Sequence, residues 1–263
     1  MQQPRRPGFP ARIAQLSGNT PAAVPAPAPR KPGAALPLLA TPVGVGRDSA
    51  AVRARMVQRL AAAGISSVPV LQAMGAVERH RFVDSGLVNQ AYEDTSLPIG
   101  LGQTISKPSI VARMAELLLG AEIAKSAGGL GRILEIGTGC GYQAAVLSRL
   151  AREVYSMERL RGLHERARVN LRPMQLMNVH LMLGDGMLGY PKGAPYAGII
   201  AAAGGDVLPA SWCEQLAVGG RLVAPTVVSG GKQVLLVVDK TPQGLKKSIL
   251  ESVHFVPLKS GIA

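Results

Sequence analysis

Three glycines alternate in the run Ile133-Leu134-Glu135-Ile136-Gly137-Thr138-Gly139-Cys140-Gly141-Tyr142-Gln143, which leads from an apolar stretch into a helical one. Glycine at such a turn lets the backbone bend tightly and meet a ligand with no Cβ between them. Gly137, Thr138, Gly139 and Gly141 are therefore candidate cofactor contacts, with Glu135 inside the preceding strand. A dinucleotide loop would carry its third glycine where Tyr142 stands, which argues against a pyrophosphate cradle. The G-x-G-x-G pattern behind an acidic strand residue suits S-adenosyl-L-methionine, whose methionine end offers no phosphate to a helix N-terminus. Downstream, Glu158 closes the next apolar run about 20 residues on, where a carboxylate can accept both ribose hydroxyls. Gly184-Asp185-Gly186 closes the third run, so Asp185 is expected to accept from the adenine amino group beside Gly186. Each acid alone would pass for a solvated loop carboxylate; their recurrence at successive strand ends is what points to the cofactor.

These residues need strands that end at one edge. Apolar runs at 133–136, 154–157, 179–183, 199–203, 222–225, 234–238 and 253–258 read as seven strands, with helix-length spacers between the first five. One spacer carries Leu160, Leu163, Ala167 and Leu171 in helical register. Strands separated by helices imply right-handed crossovers and a parallel sheet covered on both faces. The Pro-Gln-Gly turn near the end allows a final antiparallel pair. The expected fold is α/β: a Rossmann-like, doubly wound, mostly parallel seven-stranded sheet with an N-terminal helical addition. That addition holds a helix opening at Asp48 or Ser49 with Val52, Met56 and Leu60 inward, and a second capped by Ser67. Tyr92 to Pro108, punctuated by Pro98, Gly100 and Gly102, reads as a loop before a helix from Ser109.

That loop is the most specific segment of the chain. Ala91-Tyr92-Glu93-Asp94-Thr95-Ser96-Leu97-Pro98-Ile99-Gly100-Leu101-Gly102-Gln103-Thr104-Ile105-Ser106-Lys107-Pro108 closely resembles the signature loop of the protein-L-isoaspartate O-methyltransferases. The resemblance continues through Gly184-Asp185-Gly186, Ala194-Pro195-Tyr196, Gly219-Gly220-Arg221-Leu222 and the segment 253–258. It implies methylation, by S-adenosyl-L-methionine, of the free α-carboxylate of L-isoaspartyl residues in damaged proteins and peptides, the first step of their repair. It implies further that Ser106 is the active-site hydroxyl, that Thr104 and Ile105 close over the cofactor, and that Val256, Pro257 and Leu258 wall the substrate pocket. Without the resemblance, Ser106 would pass for an ordinary helix cap. Two departures stand out: Ala197 where the family usually has Asp, and Ala202-Ala203-Gly204-Gly205-Asp206 in place of its Ala-Ala-Ala-Pro run. Both put turnover and local loop shape in question.

Composition narrows the alternatives. The 263 residues are 47% hydrophobic and 17% charged, enough for a large core, while 3% aromatic content argues against a base-stacking surface. Two cysteines, Cys140 and Cys213, make no disulfide framework or zinc site and fit a reducing cytoplasm. No apolar run approaches the roughly 20 residues a membrane helix needs. The net charge of +13 invites a nucleic-acid partner, but Arg5, Arg6, Arg12, Arg30, Lys31 and Arg47 lie in the first 47 residues without one acid, and the rest is dispersed. Residues 1–47, rich in proline, alanine and arginine, are expected to form a disordered tail, with a targeting peptide as the lesser reading. The expected layout is that tail, then a methyltransferase domain over 48–263: helices and substrate loop at 48–130, cofactor-binding sheet at 131–263. A cytoplasmic monomer without nucleic-acid or membrane partners is expected. The rivals are a methyltransferase for another acceptor, and a basic nucleic-acid-binding homologue that has lost catalysis. The four histidines, Trp212 and the arginines at 159, 161, 166, 168 and 172 read as structural or solvent-facing.

Overall fold

The computed structural model describes residues 49–228 and 230–263; Asp48 and the expected tail at 1–47 lie outside them. Helix α1 (Ser49–Ala62) buries Met56 and Leu60 one turn apart and stops at Gly64, whose φ of 104° suits only glycine. Helix α2 (Val68–Ala76) starts after Ser67, but the Ser67 hydroxyl makes no cap. Glu116 performs that service from a distance, accepting from the backbone N–H groups of Ser66 and Ser67 at 2.8 Å each.

The segment read as a loop contains a small hairpin, β1 (Leu97–Gly100) and β2 (Gln103–Ile105). Its glycines, read as breakers, make the turn, where Gly100, Leu101 and Gly102 all have positive φ, while Pro98 lies within β1 opposite Thr104. Helix α3 (Pro108–Leu119) follows, one residue earlier than expected, with Val111, Met114, Ala115 and Leu118 buried and Lys107 in the cap position. Asp94 accepts from the Ser109 N–H and hydroxyl at 2.8 Å each, so the loop itself caps the helix.

Beyond α4 (Glu122–Ala127) lie β3 (Leu130–Ile136), α5 (Tyr142–Leu147), β4 (Ala151–Glu158), α6 (Arg161–Leu171), β5 (Val179–Leu183), β6 (Tyr196–Ala201), α7 (Ala210–Gln215), β7 (Leu216–Val228), β8 (Lys232–Thr241) and β9 (Gly244–Ser252). The sheet order is β5-β4-β3-β6-β7-β8-β9, parallel from β5 to β7 and antiparallel at both β7–β8 and β8–β9. This is the Rossmann-like, mostly parallel seven-stranded sheet expected. Alternation along β3 shows how both faces are covered: Ile133 packs with Met114 and Leu118 of α3, and Leu134 packs with Trp212 of α7.

Two expectations are corrected. The last strand is β9, not 253–258, where Pro257 makes only an isolated bridge to Gly204. Strand β9 lies at the sheet edge and is largely exposed, so it has no apolar run to read, and proline ends pairing in the segment that has one. The connection from β5 to β6 holds two single turns at Gly186–Leu188 and Pro191–Gly193 in place of a helix.

Candidate functional site

Chain order rises from β3 through β4 to β5 on one side and passes through β6 to β7 on the other, so the direction of winding reverses at β3. Ligands of such sheets bind outside the carboxyl ends of the strands at that reversal. A cavity of about 250 Å³ lies there, lined by the tips of β3 (Ile136, Gly137), β4 (Met157, Glu158) and β6 (Ala202) and by Gly186 beyond β5. Gly137 and Gly139 turn the backbone with φ of 92° and 57°, and the methyl end of Ile99 would stand 3.1 Å from any Cβ at Gly139. The hairpin thus rests on bare glycine backbone.

Glu158 is buried in the cavity wall, its Oε2 accepting from Gly139 N–H at 2.8 Å and its Oε1 from Leu160 N–H at 2.9 Å. Each oxygen keeps a second lone pair, so the carboxylate is fixed in place and can still accept from a vicinal diol. An adjoining cleft of about 40 Å³ shares Thr104, Gly137 and Gly139 with the cavity and adds Ile105, Ser106 and Thr138. The Ser106 hydroxyl is half-buried and makes no hydrogen bond to the described residues, while Lys107 takes the cap position for which Ser106 could have served. Two protonated groups border this cleft: burial pushes the Cys140 thiol up to about 11 and the Tyr142 phenol up to about 12. Among the described residues, no histidine, aspartate or glutamate lines it.

Three expected contacts line neither the cavity nor the cleft, and Ile105 and Thr138 line the cleft alone. Glu135 is fully buried beneath the turn, and its burial raises the carboxyl from the usual 4.5 to about 8, against the opposing effect of the Ser156 and Gln143 side chains. It receives the Ser156 hydroxyl proton, and Thr138 stands 2.6 Å from Ser156, so Glu135 anchors the turn from below. Gly141 faces helix α6, where a Cβ would meet the Leu171 side chain at 3.0 Å; it is required for helix packing. Asp185 accepts from Met187 N–H at 2.9 Å and from Gly261 N–H at 2.7 Å, and so ties the segment after Leu258 to the tip of β5. Val256, Pro257, Leu258 and also Lys259 do line the cavity. Gly204 holds that wall, donating to Val256 at 2.9 Å and accepting from Leu258 at 2.7 Å. The unusual Gly204-Gly205 segment therefore shapes a site wall, whereas Ala197 is buried at the start of β6 beside Gly131, near the opposite sheet edge from the cavity.

Sequence reasoning passed over several residues that position the site. Arg79 is fully buried, donates from Nε to Ala91 O at 2.8 Å and from Nη2 to Thr95 O at 3.4 Å, and stacks over the Tyr142 ring at 4.7 Å. It links the signature loop to the first residue of α5. Arg166, read as solvent-facing, donates to Ile99 O at 2.7 Å and pairs with Asp84 at 2.7 Å, clamping β1 onto α6. Arg159 donates to the carbonyls of Ser260 and Gly261. Trp212, beyond packing its helix, donates to Gly186 O at 2.8 Å. The density of arginines at 159–172 is the sequence signal for Arg159 and Arg166; Arg79 lies outside that stretch and carries none.

The donor set fits a phosphate-free nucleoside: a wall carboxylate with free lone pairs, exposed glycine backbone, and apolar faces from Ile136, Met157 and Leu163. Residues 51–263 match the family described as Protein-L-isoaspartate(D-aspartate) O-methyltransferase. The chain is 59% identical over 223 residues to the protein-L-isoaspartate O-methyltransferase of Methylibium petroleiphilum, covering 84% of this chain and 82% of that one. It is 52% identical to that of Burkholderia mallei, covering 97% of this chain and 80% of that one. A solved protein-L-isoaspartate O-methyltransferase superposes with a TM-score of 0.71 at 29% identity, over 80% of this chain and 67% of that one. Another, from Plasmodium falciparum in complex with S-adenosyl-L-homocysteine, shares the fold at a TM-score of 0.68 and 22% identity, over 79% of this chain and 98% of that one. On the family match and these identities, the chain belongs to the protein-L-isoaspartate(D-aspartate) O-methyltransferase family.

Proposed function

We propose that this protein transfers a methyl group from S-adenosyl-L-methionine to the free α-carboxylate of L-isoaspartyl residues in damaged proteins and peptides, the opening step of their repair. The observation that carries the reading is the shared lining of the two spaces: the turn at 137–139 and the segment 104–106 meet around them, so cofactor and acceptor have adjoining seats. When bound, the cofactor supplies an electrophilic methyl group on a sulfonium. Glu158 accepts from its ribose hydroxyls, Gly137 and Gly139 offer backbone to its methionine end, and Gly186 and Met157 wall its base. Thr138 supports the turn from beneath, and Thr104 and Ile105 cover the junction.

The acceptor needs no base. A free α-carboxylate, with a pKa near 3.5, is already ionised at neutral pH. The protonated Cys140 and Tyr142 and the absence of acids and histidines in the cleft are what such a nucleophile calls for. The reaction requires aim and dryness. The free Ser106 hydroxyl can donate to one carboxylate oxygen and leave the other for attack, while Val256, Pro257 and Leu258 exclude water from the far wall. In this reading Asp185 is a positioning residue that keeps the 259–261 segment in place.

The test is methyl incorporation into an isoaspartyl peptide and its aspartyl twin. Labelling of the first alone is expected; equal labelling, or none, would overturn the reading. We further propose a monomer that works in the cytoplasm without nucleic acid; no described helix is long and apolar enough to cross a membrane. A light-scattering mass near 27.4 kDa is expected, and twice that value would contradict a monomer.

A further inference from the structure

Ser106 has two sides. One borders the cleft it shares with the glycine turn; the other borders a separate depression of about 250 Å³ that opens to the surface. The floor of this depression is apolar, built from Ile110 of α3 with Val253 and Phe255 beyond β9. Gln233 holds that floor in shape, accepting from Phe255 N–H at 2.7 Å through its side chain and from Val253 N–H at 3.0 Å through its backbone. The rim carries Ser96, Lys107 and His254. Neither the Lys107 ammonium nor the His254 ring has a hydrogen-bond or ion-pair partner among the described residues, and both residues are exposed.

Among the described residues, no acidic one lines the depression. The carboxylates within two positions of its lining residues are committed elsewhere: Asp94 to Ser109, and Glu251 to Arg113 at 3.1 Å. The rim is therefore one-sided in charge, with a free cation directly after the candidate active-site hydroxyl.

An acceptor whose carboxylate sits on Ser106 must lead its chain out of the cleft, because about 40 Å³ leaves no room for a second residue. The depression is where the other face of Ser106 opens. We infer that it is the subsite for the residue flanking the isoaspartyl linkage, and that Lys107 with His254 selects an acidic side chain there. The aliphatic stem of a glutamate lies on Ile110 and Phe255 while its carboxylate reaches the rim; a lysine in the same place meets Lys107 with like charge. This inference rests on the proposed isoaspartyl acceptor.

The experiment uses three isoaspartyl peptides that differ only in the flanking residue, Glu, Gln or Lys, each with an aspartyl twin, at low and at raised ionic strength. Exposed ion pairs are worth little and are screened by salt, so the expected preference of Glu over Lys is about three- to tenfold in kcat/KM at low salt, carried by KM and shrinking as salt rises. Lys107→Glu should invert the order, and His254→Gln should reduce the preference. Flank-independent rates, or a preference unchanged in Lys107→Glu, would overturn the subsite while leaving the proposed function standing. Failure of the unaltered protein to methylate any of the three would overturn the proposed function and the subsite with it.

Discussion

Arg79 carries a positive charge into the core with no acid paired to it among the described residues, and burial holds its pKa below the usual guanidinium value. A cation so placed is costly unless its geometry is used, and here its planar fork is what joins Ala91 and Thr95 to Tyr142. Arg79→Lys keeps the charge and loses the fork; kcat/KM for an isoaspartyl peptide should fall about tenfold while calorimetric affinity for S-adenosyl-L-homocysteine stays within about threefold. Equal loss in both would make the residue a general fold support. Glu135 gives a second prediction, in pH. Below the ordinary carboxyl value of 4.5 both folded and unfolded chains hold its proton; between there and about 8 only the folded chain does, so its contribution to stability declines as pH rises through that window and stops declining above it. Glu135→Gln should remove this slope, gaining on the unaltered protein by on the order of a few kcal/mol between pH 5 and pH 9 in denaturant titrations. A constant difference across pH would show that Glu135 is ionised throughout. Neither residue's role was legible in the sequence: Glu135 has the spacing of a ligand contact, and depth within the strand is what removes it from the cavity.

The hairpin of β1 and β2 is the element that carries the proposed acceptor side, and it is short, with Leu101 and Gly102 exposed at its turn. Two distant side chains hold it and its flank, Arg79 at Thr95 and Arg166 at Ile99, and Asp94 in one flank ties to Ser109 in the other. Arg166→Ala should cost about 1–2 kcal/mol of stability and raise the KM for isoaspartyl peptides several-fold with a smaller effect on kcat. An unchanged KM would show that the hairpin needs no clamp. From the sequence this segment reads as a loop because Pro98, Gly100 and Gly102 interrupt it at every second residue, and a two-stranded hairpin leaves too few residues for periodicity to appear. The last strand was misplaced for a related reason. Edge strand β9 exposes both its lysines and Ile249 and carries no alternation, while the apolar 253–258 segment is drawn to the site wall through Gly204.

The sheet as a whole was legible because its central strands are buried on both faces, which writes them into the sequence as apolar runs bounded by glycine and acid. Chain connectivity then leaves one place for a ligand, the strand tips where the winding reverses, and the glycine turn, Glu158 and Gly186 all arrive there. What the sequence could not display is the cross-linking by long side chains, such as Arg159 to Gly261 and Asp185 to the same residue, since these pair positions on average some 90 residues apart and obey no local spacing. In the proposed function, one seat at these tips holds the cofactor, with Ser106 facing the acceptor beside it. A crystal structure with S-adenosyl-L-homocysteine and an isoaspartyl peptide tests it most directly. Ribose hydroxyls are expected on the Glu158 carboxylate and the peptide's α-carboxylate within hydrogen-bond reach of the Ser106 hydroxyl; a nucleoside bound elsewhere on the molecule, or a peptide carboxylate remote from Ser106, would overturn the assignment.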